Sequence, residues 1–207
     1  MSASDTSLHV TSPVPEFVAW RRHPSSELQQ HTGRFESEAR VLQWFEPGLI
    51  PGLLQTRAYA HAVLDAGIGA LGAGGDVSAA LDARLARQQR WRASETRVHF
   101  LIAEQALYTV VGDPETTRVQ LETLLGRLPG TAVVQIVPRT ARFLVSATNF
   151  VVYDGTRVAV ETATGTLRLC DPAAISDYLT VFDLLTQDAV LGSEAEPLIR
   201  KAIAAHR

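Results

Sequence analysis

Cysteine, lysine and methionine occur once each in these 207 residues, as Cys170, Lys201 and Met1. A single thiol excludes an intrachain disulfide and any cysteine-based zinc cluster. Arginine carries nearly all the positive charge, a composition that reads as a GC-rich genome rather than as a mechanism. The net charge is −3, so the global basic excess that marks nucleic-acid binding is missing. No apolar run approaches the roughly 20 residues needed to cross a bilayer. The opening MSASDTSLHVTSPVPE has no basic stretch followed by an apolar core, so it does not read as a signal peptide. A cytoplasmic protein, with no membrane association and no direct nucleic-acid binding, is the expectation. The strong catalytic signatures are also missing: no G-x-S-x-G, H-E-x-x-H, Walker loop or C-x-x-C. Gly67-Ile-Gly-Ala-Leu-Gly72 matches G-x-G-x-x-G in form. It follows a helical pattern, not a strand, and runs into further glycines, so it reads as a flexible connector.

What remains is a globular chain. Hydrophobic residues make up 46% and charged residues 20%, which fits one ordinary domain. Residues 1–25 are Ser/Thr/Pro-rich and read as a flexible arm; Phe17, Val18 and Trp20 can dock it on its own domain or on a partner. Residues 26–207 form the domain. Leu28, Phe35, Ala39 and Leu42 predict a helix over 26–43. Residues 44–56 contain Pro47-Gly48 and Pro51-Gly52 among Leu49, Ile50, Leu53 and Leu54, too apolar for an exposed loop. They predict a buried connector whose backbone groups need specific partners. Thr56 caps the next helix, with Gly67 as its stop. Asp76 caps another, with Val77, Leu81 and Leu85 as its apolar stripe. Residues 98–102 and 131–137 read as strands flanking a helix that starts at Asp113-Pro114-Glu115, an order that permits a parallel crossover. Asp154-Gly155 joins strands 149–153 and 156–161 in a hairpin, and 166–170 completes a meander. Asp171 caps a helix with Ile175, Tyr178, Leu179, Phe182 and Leu185 on one face, and Ser193 with Glu196 suggests a capping box for the last helix. The predicted fold is a single α+β domain: a mixed or antiparallel sheet with a C-terminal β-meander, packed by several amphipathic helices.

Three carboxylates, Glu46, Glu104 and Glu161, stand next to apolar segments. If they converge, one can be held neutral and act as an acid. Glu104, at the end of a buried strand, otherwise needs an arginine or a helix end as partner. Arg84 and Arg87 can grip a phosphate or carboxylate; as a solvated helix face they would pair with Asp82 or Glu95. Arg139 and Arg142 flank the loop after strand 131–137 and are either ligand contacts or surface. His61 with Asp65 reads as an exposed helical pair, and His99 as pointing outward from its strand. A polar pocket near Glu46, Gln55, Tyr59 and Arg87 would be the binding site, with Arg84 and Arg139 as further ligand contacts. No cofactor or metal is implied.

The segment WFEPGLIPGLLQTRAYAHAVL (residues 44–64) resembles the "yEp.lvPGLLQTedYAral" signature of a C-terminal domain of unknown function in actinomycete XRE-type (WhiJ-like) helix-turn-helix regulators. The resemblance continues through Arg84, Arg87 and Gln88, through AEQAL (103–107), VVQIVP (133–138) and VAVET (158–162), from about Phe35 to the C-terminus. The chain departs from the pattern over 142–150, where relatives carry a Gly/His turn and Gly-Pro-Phe. The resemblance implies an effector domain, expected here as a standalone copy without the DNA-binding domain. Two functions are expected from it. One is a ligand-sensing or protein-interaction regulatory module whose partner is a small metabolite, a small acidic protein or a second copy in a homodimer. The alternative is a cofactor-independent biosynthetic enzyme that cyclises or rearranges a small natural-product intermediate.

Overall fold

In the computed structural model, which describes residues 14–71 and 75–206, the chain runs β1 (Glu16–Ala19), α1 (Ser25–Glu38), β2 (Val41–Glu46), α2 (Arg57–Leu71), α3 (Val77–Arg92), β3 (Arg97–Ala103), α4 (Pro114–Leu124), β4 (Ala132–Val137), β5 (Phe150–Tyr153), β6 (Arg157–Glu161), β7 (Gly165–Leu169), α5 (Pro172–Thr186), β8 (Val190–Leu191) and α6 (Glu196–Ala205). The strands make one mixed sheet in the order β1-β7-β6-β5-β2-β3-β4-β8. β2, β3 and β4 are parallel at its centre, and every other pairing is antiparallel. The domain is therefore α+β with a C-terminal meander, β5-β6-β7.

Strand alternation sends side chains to two faces. On the first, Leu42, Trp44, Val98, Phe100, Ile102 and Ile136 pack with the connector, α2, α4 and α6 around the larger core. On the second, Phe45, Leu101, Phe150, Val152, Val158 and Val160 lie under α5, whose Ile175 and Phe182 are buried. The helix starts follow local chemistry. Asp76, Asp113 and Asp171 each accept a first-turn backbone N–H, and Pro114 and Pro172 occupy first-turn positions where no N–H is required. In the hairpin, Asp154 (φ 50°) and Gly155 (φ 64°) both take the left-handed conformation that a type I′ turn requires. The Asp154 carboxylate also accepts Arg40 N (2.9 Å) and Val41 N (2.8 Å), which fixes the start of β2.

Several elements differ from the sequence expectation. The first helix ends at Glu38, because Ala39 is extended (φ −82°, ψ 146°) and 41–46 form a central strand. β2 is buried on both faces, so it lacks the polar alternation that announces a strand. α2 continues past Gly67 to Leu71, and residues 72–74 of the glycine-rich stretch lie outside the described residues. α6 begins at Glu196 behind Ala195 with no side-chain cap, so the Ser193 capping box does not form. His99 does not point to solvent: its ring stacks edge-on against Phe182 of α5 at 5.0 Å. Of the arm placed over 1–25, residues 1–13 lie outside the described residues, while β1 pairs with β7.

The connector 47–56 is buried as expected, and its backbone groups find side-chain partners. Tyr59 Oη accepts Ile50 N (3.3 Å), and Gln55 Nε2 donates to Ile50 O (2.7 Å). Gln88 Nε2 donates to Gly52 O (2.8 Å) and Gln55 O (2.9 Å). Gln120 on α4 donates to Leu54 O (2.9 Å) and accepts Thr56 N (2.6 Å). Gln120 is fully buried, so Gln120→Leu strands two backbone groups away from water. That substitution is expected to destabilise the domain by about 2–4 kcal/mol, from typical costs for unpaired buried groups. Urea unfolding checks this; a change below about 1 kcal/mol would mean the connector repairs itself with water.

Candidate functional site

The first face is not fully covered. Over β2, β5, β6 and β7 a cleft stays open between the sheet, α1, α3 and the connector, with a free volume of about 100 Å³. Strand register builds its floor in two rows. Phe45 pairs with Phe150 and Phe150 with Val160. One residue further along, Glu46, Asn149 and Glu161 therefore stand side by side, and Glu161 pairs with Thr166. The row below reads Trp44, Val151, Ala159, Arg168.

The two carboxylates differ in setting. Glu46 is 7% exposed; Asn149 Nδ2 donates to its Oε2, and Gly48 N donates to Oε1 at 3.4 Å. Burial first, then the charge of Glu161, push its carboxyl up to about 8, against these hydrogen bonds. Glu161 is surrounded by protein yet exposed through the cleft mouth. Its crowded position pushes its pKa up as well, opposed by Arg84 and Arg87. Glu161 is more open to solvent than Glu46, and the two arginines favour its charged form.

The opposite wall is basic. Arg87 is buried, and Glu36 of α1 grips its guanidinium in a bidentate pair, with Arg87 Nε to Glu36 Oε2 at 2.8 Å. Burial acts against the Arg87 charge, but Glu36 outweighs it and the pKa rises. Arg84 donates to two neutral amide oxygens, Gln55 Oε1 (2.7 Å) and Gln29 Oε1 (3.2 Å). Burial and the like charge of Arg87 lower it to about 10, so it remains protonated at neutral pH. Gln29 Oε1 also accepts from Arg87 Nη1. α1 approaches α3 closely here because Gly33 has no side chain: a Cβ would lie 2.7 Å from Arg87 Cγ. Arg168 pairs with Glu16 of β1 (3.1 Å) and its guanidinium lies over Phe35 at 5.1 Å. Tyr153 is 5% exposed and lines the cleft, yet its hydroxyl has no hydrogen-bond partner among the described residues. Among those residues no group of three or more His, Cys, Asp or Glu could hold a metal.

Of the residues singled out from sequence, Glu46, Gln55, Arg84, Arg87 and Glu161 meet at this cleft. Tyr59 lies behind it, fully buried and bonded to the connector. Glu104 is elsewhere: it leaves β3 on the β4 side, accepts Arg139 N (2.8 Å) and Arg139 Nε (3.1 Å), and Arg139 lies 4.6 Å over Tyr108. Two carboxylates converge, not three, and Arg139 is a structural partner of Glu104. Arg142 sits on the surface with Asp188, and His61 and Asp65 are exposed on α2. Gln29, Glu36, Asn149, Tyr153 and Arg168 were not anticipated. The hairpin register alone would have set Asn149 beside Glu161; the others depend on how α1 and β7 pack.

Fold and cleft together define an α+β domain with a charged, solvent-open cleft on the uncovered part of its sheet. The chain belongs to the DUF5753 family, a domain of unknown function, whose model matches residues 29–201. That span includes both carboxylates and both α3 arginines of the cleft. Among solved structures, it is similar to TrmBL2, described as an archaeal chromatin protein with a novel mode of DNA binding, at 11% identity and a TM-score of 0.42. The match covers 90% of this chain and 57% of TrmBL2. No curated protein matches the chain.

The setting of Glu46 predicts a pH dependence of stability. Its folded value of about 8 exceeds the ordinary 4.5, so the folded state holds a proton that the unfolded state has released. Stability contributed by that proton is present below about pH 4.5 and lost as pH rises towards 8. Glu46→Gln removes the ionisation, so the variant should melt higher than the parent at pH 8.5 and show a flatter profile between about pH 5 and 8.5. Melting curves that run parallel across this range would show that Glu46 is ionised in the fold.

Proposed function

We propose that this domain is a ligand-sensing regulatory module, and that the cleft is where it takes a small metabolite. The observation that carries this reading is the set of binding groups left open in the cleft. The Tyr153 hydroxyl and the Glu161 carboxylate have no hydrogen-bond partner among the described residues, and both line the same free volume. Trp44, which also lines the cleft, has its buried Nε1 unpaired among those residues as well, whereas buried polar groups are ordinarily paired within the fold. Pockets with a few convergent polar groups are the default binding sites of globular domains. The likeness to effector domains of actinomycete WhiJ-like regulators supports the same role. On this reading a bound ligand bridges the sheet and α3, and α3 is tied to α1 through Gln29 and the Glu36–Arg87 pair. A change in the α1–α3 surface would be read by a second polypeptide in the cytoplasm: a small acidic partner, a DNA-binding regulator or a second copy.

One observation favours a second reading, a cofactor-independent enzyme of a natural-product pathway. A carboxyl that keeps its proton near pH 8 beside an ionised carboxylate has the arrangement of a general acid with an electrostatic partner. Glu46 would then protonate a substrate atom, and Glu161 would stabilise developing positive charge.

Native mass spectrometry of the protein purified from its own cells is expected to show a retained small molecule. Glu161→Ala and Tyr153→Phe should each weaken retention about tenfold, the size expected for one lost charged or buried hydrogen bond. Clean apo-protein bound to a second polypeptide would instead favour a pure interaction module. Conversion of the retained compound on incubation, abolished by Glu46→Gln without loss of binding, would favour the enzyme.

A further inference from the structure

The charges around the cleft do not cancel evenly. Arg87 is neutralised by Glu36 and Arg168 by Glu16. Arg84 bonds only to the neutral oxygens of Gln29 and Gln55, and it makes no ion pair among the described residues. The Glu161 carboxylate accepts no hydrogen bond and makes no ion pair among them, although it lies within electrostatic reach of Arg84. One cation on α3 and one anion on β6 thus face a common space, each without a contacting counter-ion. The Tyr153 hydroxyl, on a side chain buried to 5% exposure, opens into the same space as an unused donor.

We infer that the cleft binds a small zwitterion of the α-amino-acid class, with its carboxylate on Arg84 and its ammonium on Glu161 in the row Glu46–Asn149–Glu161. The inference rests on the ligand-sensing reading and narrows it. A simple anion drawn to Arg84 would meet the charge of Glu161, and a simple cation drawn to Glu161 would meet Arg84. Only a ligand with one charge of each sign compensates both groups. A neutral molecule would displace water from both and compensate neither. The free volume of about 100 Å³ admits a single small molecule rather than a nucleotide or a peptide. Leu49, Ile50, Val63 and Val151 also line the cleft and give the side chain an apolar wall, which selects an aliphatic residue.

Isothermal titration of the whole protein tests this with L-valine and L-leucine and their single-charge analogues: isovalerate and isocaproate, which lack the ammonium, and isobutylamine and isoamylamine, which lack the carboxylate. The amino acids should bind at least about tenfold more tightly than either analogue set. The variants add a readout that simple loss of folding cannot mimic. Glu161→Gln should weaken the amino acids yet strengthen isovalerate and isocaproate, since the repelling charge is gone. Arg84→Gln should strengthen the two amines in the same way. An analogue binding as tightly as its parent amino acid, or charge variants without this crossed effect, would overturn the zwitterion assignment and leave a ligand site standing. No binding by any of the six probes would also overturn it. The ligand-sensing reading would then stand or fall separately, on whether the purified protein retains a small molecule.

Discussion

The buried connector between β2 and α2 imposes the constraint on which the rest of the structure depends. Two Pro-Gly steps limit it to one 3-10 turn, Gly52–Leu54, while Ile50, Leu53 and Leu54 hold it in the core. Its carbonyl and N–H groups must then be satisfied by side chains, since an unpaired buried amide costs on the order of 1–3 kcal/mol. Tyr59, Gln55, Gln88 and Gln120 meet that need, each from a different local element: α2, the connector's own end, α3 and α4. Because Tyr59, Gln88 and Gln120 each bind specific connector groups, α2, α3 and α4 are held at set positions over the sheet. Pairing the connector and packing the helices are thus one event.

The same pairing sets the chemistry of the cleft. Gln55 gives its amide N–H to Ile50 O and so presents its oxygen to Arg84. Arg84 reaches Gln29, Gln29 also accepts from Arg87, and Arg87 closes on Glu36. A continuous chain of hydrogen bonds runs from the connector through α3 to α1. The amide oxygens in it hold the two guanidiniums without neutralising them, and only Glu36 supplies charge. That is why Arg87 is a settled structural cation while Arg84 keeps an uncompensated one. On the floor, the sheet register does the corresponding work: it sets Glu46 and Glu161 on either side of Asn149, near enough for one ionised carboxylate to help hold the other neutral.

Much of this was legible in the sequence, for identifiable reasons. The Asp154-Gly155 hairpin, the Asp-capped helices and the apolar face of α5 are local signals, and local signals survive without knowledge of the fold. The connector announced itself because apolar residues between Pro-Gly steps have no place on a surface. β2 did not, because Val41–Glu46 is buried on both faces and its run merges with the helical spacing before it. Missing β2 hid the row that joins Glu46 to Glu161, since that row exists only once β2 lies beside β5. Glu104 is the converse case: the end of a buried strand is a plausible site position, but the structural role read beside it holds, with Arg139 as the arginine partner 35 residues further along the chain. Tyr153 and Arg168 carry no motif at all, and only the packing of α1 and β7 brings them to the cleft.

A static pocket becomes a sensor only if its ligand binds one arrangement of the protein better than another. The cleft has the means for that difference in α1. This helix is joined to α3 by the Glu36–Arg87 pair, by the shared oxygen of Gln29 and by the close approach that Gly33 permits. All three contacts lie next to the guanidinium that a ligand carboxylate would engage. A ligand carboxylate on Arg84 competes with the oxygens of Gln29 and Gln55 for its N–H donors, so occupancy acts on the bonds that position α1. The enzyme reading requires no such coupling; it requires only that Glu46 deliver its proton. The distinction therefore lies in α1: if its position over α3 responds to occupancy of the cleft, the polar chain is a transmission line, and if it does not, the chain serves only to hold an acid in place.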